Sequence, residues 1–187
     1  MTTTANLTNH FIIAMPGLDD PNFFHSVGYI CEHTSEGALG IIINRPLEVT
    51  FREVIEHMEL EGDDDVIDHT VVFYGGPVQS DRGFVLHEPA GSWDATMPIT
   101  ERLGLTTSRD IVAAIAKHQG PERSLIALGY AGWGAGQLEQ ELSSNSWLSV
   151  PADPEIMFET AIELRWEAAA ALLGINMSNL SPDVGHA

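Results

Sequence analysis

The sequence predicts an α+β fold with layered α/β character, in which helices cover a mixed, largely antiparallel sheet within one compact domain over residues 1–187. Three observations carry that expectation. Strand-like segments come in pairs between isolated helical segments, a pattern unlike strict strand–helix alternation. The strand cores FIIAM, GIII, VVFY and LIAL are continuously apolar, as in strands covered on both faces. With 187 residues and 44% hydrophobic content, the chain suits one domain that buries roughly two-thirds of its unfolded surface.

The elements follow in order. The first strand is 11–15 (FIIAM). Segments 27–34 (VGYICEHT) and 38–44 (ALGIIIN) are joined by Ser35-Glu36-Gly37, a short glycine-containing connection that reads as a hairpin. Thr50-Phe51-Arg52-Glu53 has the form of a capping box and opens a helix with the apolar stripe Phe51, Val54, Ile55 and Met58. Residues 61–69 (EGDDDVIDH) read as a surface loop, with Asp63, Asp64 and Asp65 solvated. They lack the alternating ligands and fixed glycine of a calcium loop. Strands are expected at 71–75 and 82–88, with a second loop over 87–98 (HEPAGSWDATMP). Ser108 caps a helix whose inward residues are Ile111, Ala114 and Ile115. A strand at 124–130 leads to a helix at 135–142. The longest helix is expected over 161–173, with Ile162, Trp166, Ala169 and Leu173 on one face and Gly174 as its stop.

Charge excludes several partners. Eight basic residues face 27 acidic ones, a net charge of −19, and Lys117 is the single lysine. Duplex binding draws on a basic stripe that neutralises phosphates, and the seven arginines are scattered. Direct nucleic-acid binding and anionic membrane surfaces are therefore not expected. No apolar run approaches a membrane span, and the N-terminal segment lacks the basic region of a signal peptide. A lone cysteine, Cys31, has no internal disulfide partner. The expectation is a cytoplasmic protein.

Three stretches could carry chemistry. In Cys31-Glu32-His33, strand alternation places Tyr29, Cys31 and His33 on one face and Glu32 on the other. A zinc site needs further ligands at short spacing, and CxxC, HxxxH and HExxH are missing, so no metal or cofactor is expected. Gly75-Gly76-Pro77 forces a turn after a strand, with Arg82 and His87 placed to meet an anionic ligand at the strand end. The segment 128–137, with Tyr130, Trp133 and Gln137, joins a strand to a helix start, where backbone N–H groups hold anions in other folds. Its spacing matches neither GxGxxG nor GxxxxGK[ST], and glycines that let Trp133 pack on the sheet account for it better than a phosphate site does. GxSxG, SxxK and Walker motifs are missing too.

With these residues in hand, the chain resembles the AlgH/YqgE family of bacterial proteins over nearly its whole length. The resemblance rests on His10-Phe11-Ile12-Ile13-Ala14-Met15-Pro16, Cys31-Glu32-His33, Ile43-Asn44-Arg45-Pro46, Gly75-Gly76-Pro77-Val78 and Asp81-Arg82-Gly83-Phe84-Val85-Leu86-His87. It continues through Thr107-Ser108-Arg109-Asp110, Leu128-Gly129-Tyr130-Ala131, Gly136-Gln137-Leu138-Glu139, Asn145-Ser146-Trp147-Leu148 and Gly185-His186-Ala187. It implies a compact one-domain α/β fold. One branch carries the label of a transcriptional regulator of alginate production, but no catalytic residue, metal or cofactor comes with the family.

The expected function is therefore a non-enzymatic regulatory or binding protein that acts through a protein partner or a small anionic ligand. Its candidate surface comprises Glu32, His33, Asn44, Gly75, Gly76, Arg82, His87, Tyr130, Trp133 and Gln137, all near predicted strand ends. The alternative is a hydrolase on a small anionic substrate, with His33 or His87 as general base.

Overall fold

In a computed structural model, residues 6–180 are described. The Gly185-His186-Ala187 motif lies outside the described residues. In chain order the elements are β1 (His10–Ala14), β2 (Val27–Thr34), β3 (Gly37–Ile42), α1 (Phe51–His57), α2 (Asp64–Ile67), β4 (Val72–Tyr74), β5 (Val78–Glu88) and β6 (Thr96–Pro98). They continue with β7 (Gly104–Thr106), α3 (Arg109–Ala116), β8 (Arg123–Gly134), α4 (Gln137–Ser143), β9 (Trp147–Pro151), α5 (Pro154–Phe158) and α6 (Arg165–Ala171). The mixed, largely antiparallel sheet with helices is present as expected. Contacts group the chain into two compact units, one made of the residues up to Asn44 and from Ala131 onward, the other of Arg45–Tyr130.

In the first unit the strand order is β9-β1-β2-β3 and then residues 131–134 of β8, all antiparallel. The β2–β3 hairpin forms where Ser35-Glu36-Gly37 predicted it. One sheet face carries Ile12, Ala14, Ile30, Trp133 and Trp147 beneath Leu138 of α4. Helix α6 packs on β1 and β2.

The second unit orders β6-β7-β5 against residues 123–130 of β8, with β4 parallel to β8. Its core joins Phe51 and Ile55 of α1, Ile111 and Ile115 of α3, and Val72, Val85 and Ile126 of the strands. The capping box of α1 is complete: Thr50 Oγ1 accepts the Glu53 N–H, and the Glu53 carboxylate accepts the Thr50 N–H.

Several expectations need correction. Residues 61–69 are not all loop, because α2 forms within them, although Asp63, Asp64 and Asp65 are exposed as expected. Loop 87–98 is shorter than expected, since β5 runs to Glu88 and β6 begins at Thr96. On α3, Val112 is buried where Ala114 was expected, and Ala114 is half-buried. The long helix over 161–173 is broken: a 3-10 turn over Ile162–Leu164 precedes α6, and Leu173 is exposed. The buried side of α6 instead carries Arg165, Ala169 and Ala170. Arg165 sets that orientation, because its Nε donates to Thr160 O at 2.9 Å and its guanidinium donates to Ile43 O at 2.6 Å. Gly174 does end the helix, at φ +74°, with the Ile175 N–H returning to Ala170 O.

Candidate functional site

The ten candidate residues fall five in each unit. In the first unit, Glu32 and His33 follow a β-bulge: the register passes from Ile30↔Gly40 to Glu32↔Leu39, so Cys31 has no partner on β3. The extra residue reverses the alternation, which corrects the expectation that Tyr29 and His33 share a face. His33 pairs with Ala38 on the face of Ile30, whereas Tyr29 pairs with Ile41 on the opposite face. There His33 Nδ1 accepts the Leu7 N–H at 3.0 Å, which leaves the ring proton on Nε2 to be donated to Glu139 Oε1 of α4. Burial works against the Glu139 carboxylate, yet its own backbone N–H and the His33 ring hold its pKa below the usual range. Burial pushes the Cys31 thiol well up, so the side chain stays a neutral thiol.

Asn44 is a pin between segments, accepting the Val27 N–H through Oδ1 and donating through Nδ2 to His25 O, both at 2.9 Å. Trp133 and Trp147 both donate their indole N–H to Glu141 Oε1, at 3.3 and 3.1 Å. Gln137 binds the other oxygen of Glu141 at 3.0 Å and accepts the Gly134 N–H at 2.9 Å. These groups satisfy one another; Glu32 and Gln137 are exposed, and Gln137 spends its amide on Glu141 and Gly134.

In the second unit, Gly75 and Gly76 approach the β8 backbone so closely that no side chain fits between them and Gly129. Tyr130 packs edge-on against Phe84 with ring centroids 5.4 Å apart. Arg82 and His87 do not form one anion site. They lie five residues apart on β5, roughly 16 Å at strand rise. Arg82 is exposed, bound to Gln79 at 3.3 Å and lying over the Phe84 ring, while His87 is completely buried. His87 Nδ1 donates to Pro89 O at 2.9 Å, and Nε2 accepts the Thr106 hydroxyl at 2.7 Å, which in turn meets Thr96. A general base has to reach the proton it takes. Both ring nitrogens of His87, like those of His33, are already engaged inside the protein.

Burial drives the His87 pKa down, against the smaller opposing pull of Pro89 O. The unfolded ring, with a pKa near 6.5, therefore takes up a proton first as the pH falls, so His87 subtracts stability below about pH 6.5. The loss is at most about 1.4 kcal/mol per pH unit and levels off below the folded-state value. Urea unfolding at pH 7.5 and pH 5 is expected to show a smaller difference in His87→Gln than in the parent.

A site the ten residues do not include lies wholly in the second unit. A cleft of about 420 Å³ is floored by Val85 of β5 and by Ile126 and Leu128 of β8. One wall is α1, through Glu53, Val54, His57 and Met58; the other is the start of α3, through Ser108, Arg109 and Val112. Val54 and Met58 belong to the stripe expected in the core, but both are only half-buried. The second wall is held by Asp110, whose carboxylate accepts the Ser108 hydroxyl at 2.6 Å and the N–H groups of Asp94 and Ile111. Burial opposes that charge, and these hydrogen bonds outweigh it to keep the Asp110 pKa low. In the sequence, Thr107-Ser108-Arg109-Asp110 signals the helix start that forms this wall, and Asp81, Gly83 and Val85 of the 81–87 stretch line the cleft beside it.

Among the described residues no group of three or more His, Cys, Asp or Glu side chains is arranged to hold a metal ion. No helix among them is long and apolar enough to cross a membrane.

Comparison with known proteins agrees over almost the full chain. A family model described as AlgH-like matches residues 11–178. A UPF0301 protein of Thioalkalivibrio sulfidiphilus is 58% identical over 187 residues, covering 100% of both chains. One of Nitrosococcus oceani is 52% identical over the same span, again with 100% of each chain covered. The solution structure of AlgH from Pseudomonas aeruginosa superposes with a TM-score of 0.81 at 48% identity, covering 100% of this chain and 99% of that one. A crystal structure of a Corynebacterium diphtheriae protein shares the fold, with a TM-score of 0.73 at 19% identity over 97% and 94% of the two chains. The chain belongs to the AlgH-like family, also named UPF0301.

Proposed function

We propose that this chain is a cytoplasmic binding protein that recognises its ligand without turning it over, and that the cleft between α1 and α3 is where it does so. The observation that carries this reading is the cleft itself. A volume of about 420 Å³ lies in the range of small-ligand sites, and an aliphatic floor ringed by a few polar groups is their usual construction. Two further features support binding over turnover. The histidines best placed in the sequence for acid–base work have both nitrogens committed to internal partners. The net charge of −19 favours regulation through a bound ligand or protein over direct contact with DNA.

The test is a thermal-shift series over aliphatic acids and amines, nucleotides and phosphorylated metabolites, run on the parent and on Val54→Trp and Val112→Trp. A compound at a hundredfold its Kd adds about 2.7 kcal/mol to the folded state. At roughly 2–4 °C per kcal/mol, that is a rise of about 5–10 °C. The expected result is a saturable rise that both folded variants lose, because an indole fills the cleft. A rise that both variants keep would place the site elsewhere, and chemical conversion of the compound would overturn the non-enzymatic reading.

A further inference from the structure

Resting on the cleft as the binding site, we propose that its occupant is a basic, amphipathic helical segment of a partner protein. The cleft is a trough with helices on its sides, a strand floor, and aliphatic groups at Val54, Met58, Val85, Val112 and Leu128. Phe, Tyr and Trp side chains are missing from its lining, whose one ring is the exposed His57 imidazole, so it offers little platform for a flat ligand. Such a trough takes the apolar side chains of a helix at i, i+3, i+4 and i+7. Met58, flexible and half-exposed, suits a surface that moulds to side chains.

Charge selects the sign of the partner. Glu53 and Asp81 against Arg109 make the lining acidic at its edge. Beyond the lining the imbalance grows: residues 45–68 contain nine carboxylates and two arginines, and every one of those carboxylates is exposed. One of those arginines, Arg52, is already bound to Asp64 and Asp68 at 2.9 and 2.8 Å. Glu53 and Glu56 of α1 and Glu59 just past its end continue this acidic flank. A small ligand held within the cleft does not span the cleft and this acidic flank together. A helix with leucines facing in and lysines on its sides does, and the acidic flank steers it.

The probe is a labelled helical peptide of roughly four turns with leucines at the i, i+3, i+4, i+7 positions and lysines beside them, compared with its glutamate counterpart by fluorescence anisotropy. The lysine peptide is expected to bind one-to-one, at least tenfold tighter than the glutamate peptide, and to weaken as salt rises. Val54→Trp, which leaves every charge in place, is expected to weaken it at least tenfold. Glu56→Lys with Glu59→Lys is expected to weaken it and flatten its salt dependence. Circular dichroism checks that each variant folds, and Val112→Phe replaces Val54→Trp where that one does not. Equal binding to folded Val54→Trp would reduce the effect to bulk attraction, and equal binding to the glutamate peptide would remove the charge selection; either would overturn the proposal. If hexylammonium perturbs the cleft and the lysine peptide does not, the peptide occupant is wrong while the cleft remains a ligand site. If neither perturbs it, both fail.

Discussion

Gly129→Ala is expected to lower the melting temperature by roughly 5–15 °C. Gly129 sits in β8 at φ +77°, which costs a residue with a Cβ about 1–2 kcal/mol. A Cβ there would lie 2.3 Å from Gly76 O and 3.1 Å from both Val78 O and Ser80 Cα. These are backbone atoms, so relief requires the β5 arch itself to move, an overpacking cost of about 1–3 kcal/mol. The arch exists because β5 leaves the ladder after Val78↔Tyr130 and rejoins it at Gly83↔Leu128. Gly75 meets the same strand from the other direction, its N–H bonded to Leu128 O at 2.8 Å. The glycines of 75–76 and 129 thus serve backbone contact, and a calorimetric melt of Gly129→Ala against the parent checks it. An unchanged melting temperature would show that the arch gives way freely.

Arg165→Met is expected to cost about 3–5 kcal/mol. The side chain is 5% exposed and donates to the carbonyls of Thr160 and Ile43, and hydrogen bonds from a charged donor contribute about 1.5–3 kcal/mol each. Methionine keeps most of the volume and removes both donors, so the loss reports the hydrogen bonds more than a cavity. Burial lowers the guanidinium pKa from its ordinary value, yet an arginine remains charged at any physiological pH. Arg165→Lys is expected to recover little, since one ammonium does not reproduce the planar fork. Urea titration of both variants measures this, and a loss below about 1 kcal/mol in Arg165→Met would mean that neither carbonyl depends on it.

What could be read from the sequence was local. The Thr50 box, the Ser35-Glu36-Gly37 hairpin and the stop at Gly174 depend on a few adjacent residues and stand as expected. Strands β6 and β7, three residues each, are too short to show a period; β7 forms on the edge of the longer β5, and β6 on the edge of β7. Asp153-Pro154 did signal α5, with a capping carboxylate before a first-turn proline, but the segment is only five residues long. The long helix over 161–173 failed because apolar spacing alone ignored an arginine that is the buried anchor of its turn. The bulge at Cys31 left no periodic trace, and it alone turned His33 from the Tyr29 face toward Glu139.

The candidate site was the least legible part. Residues singled out for unusual chemistry, His33, Asn44, His87 and Trp133, are the ones whose polar atoms the fold consumes internally. The cleft is assembled from ordinary valines, leucine, isoleucine and methionine on four separated elements. Each looks like core when read alone, and only the half-burial of Val54, Met58 and Leu128 shows that something is left to cover.

The cleft can be interrogated directly, because Val54, Met58, Val85, Val112, Ile126 and Leu128 all carry methyl groups. Methyl NMR of the labelled protein, titrated with hexylammonium and then with the lysine-bearing peptide, is the most direct measurement. The account predicts saturable shifts confined to these six residues and their neighbours on α1, α3, β5 and β8. Shifts centred on the face of Ile30, Trp133 and Trp147, or no saturable shift anywhere, would contradict it.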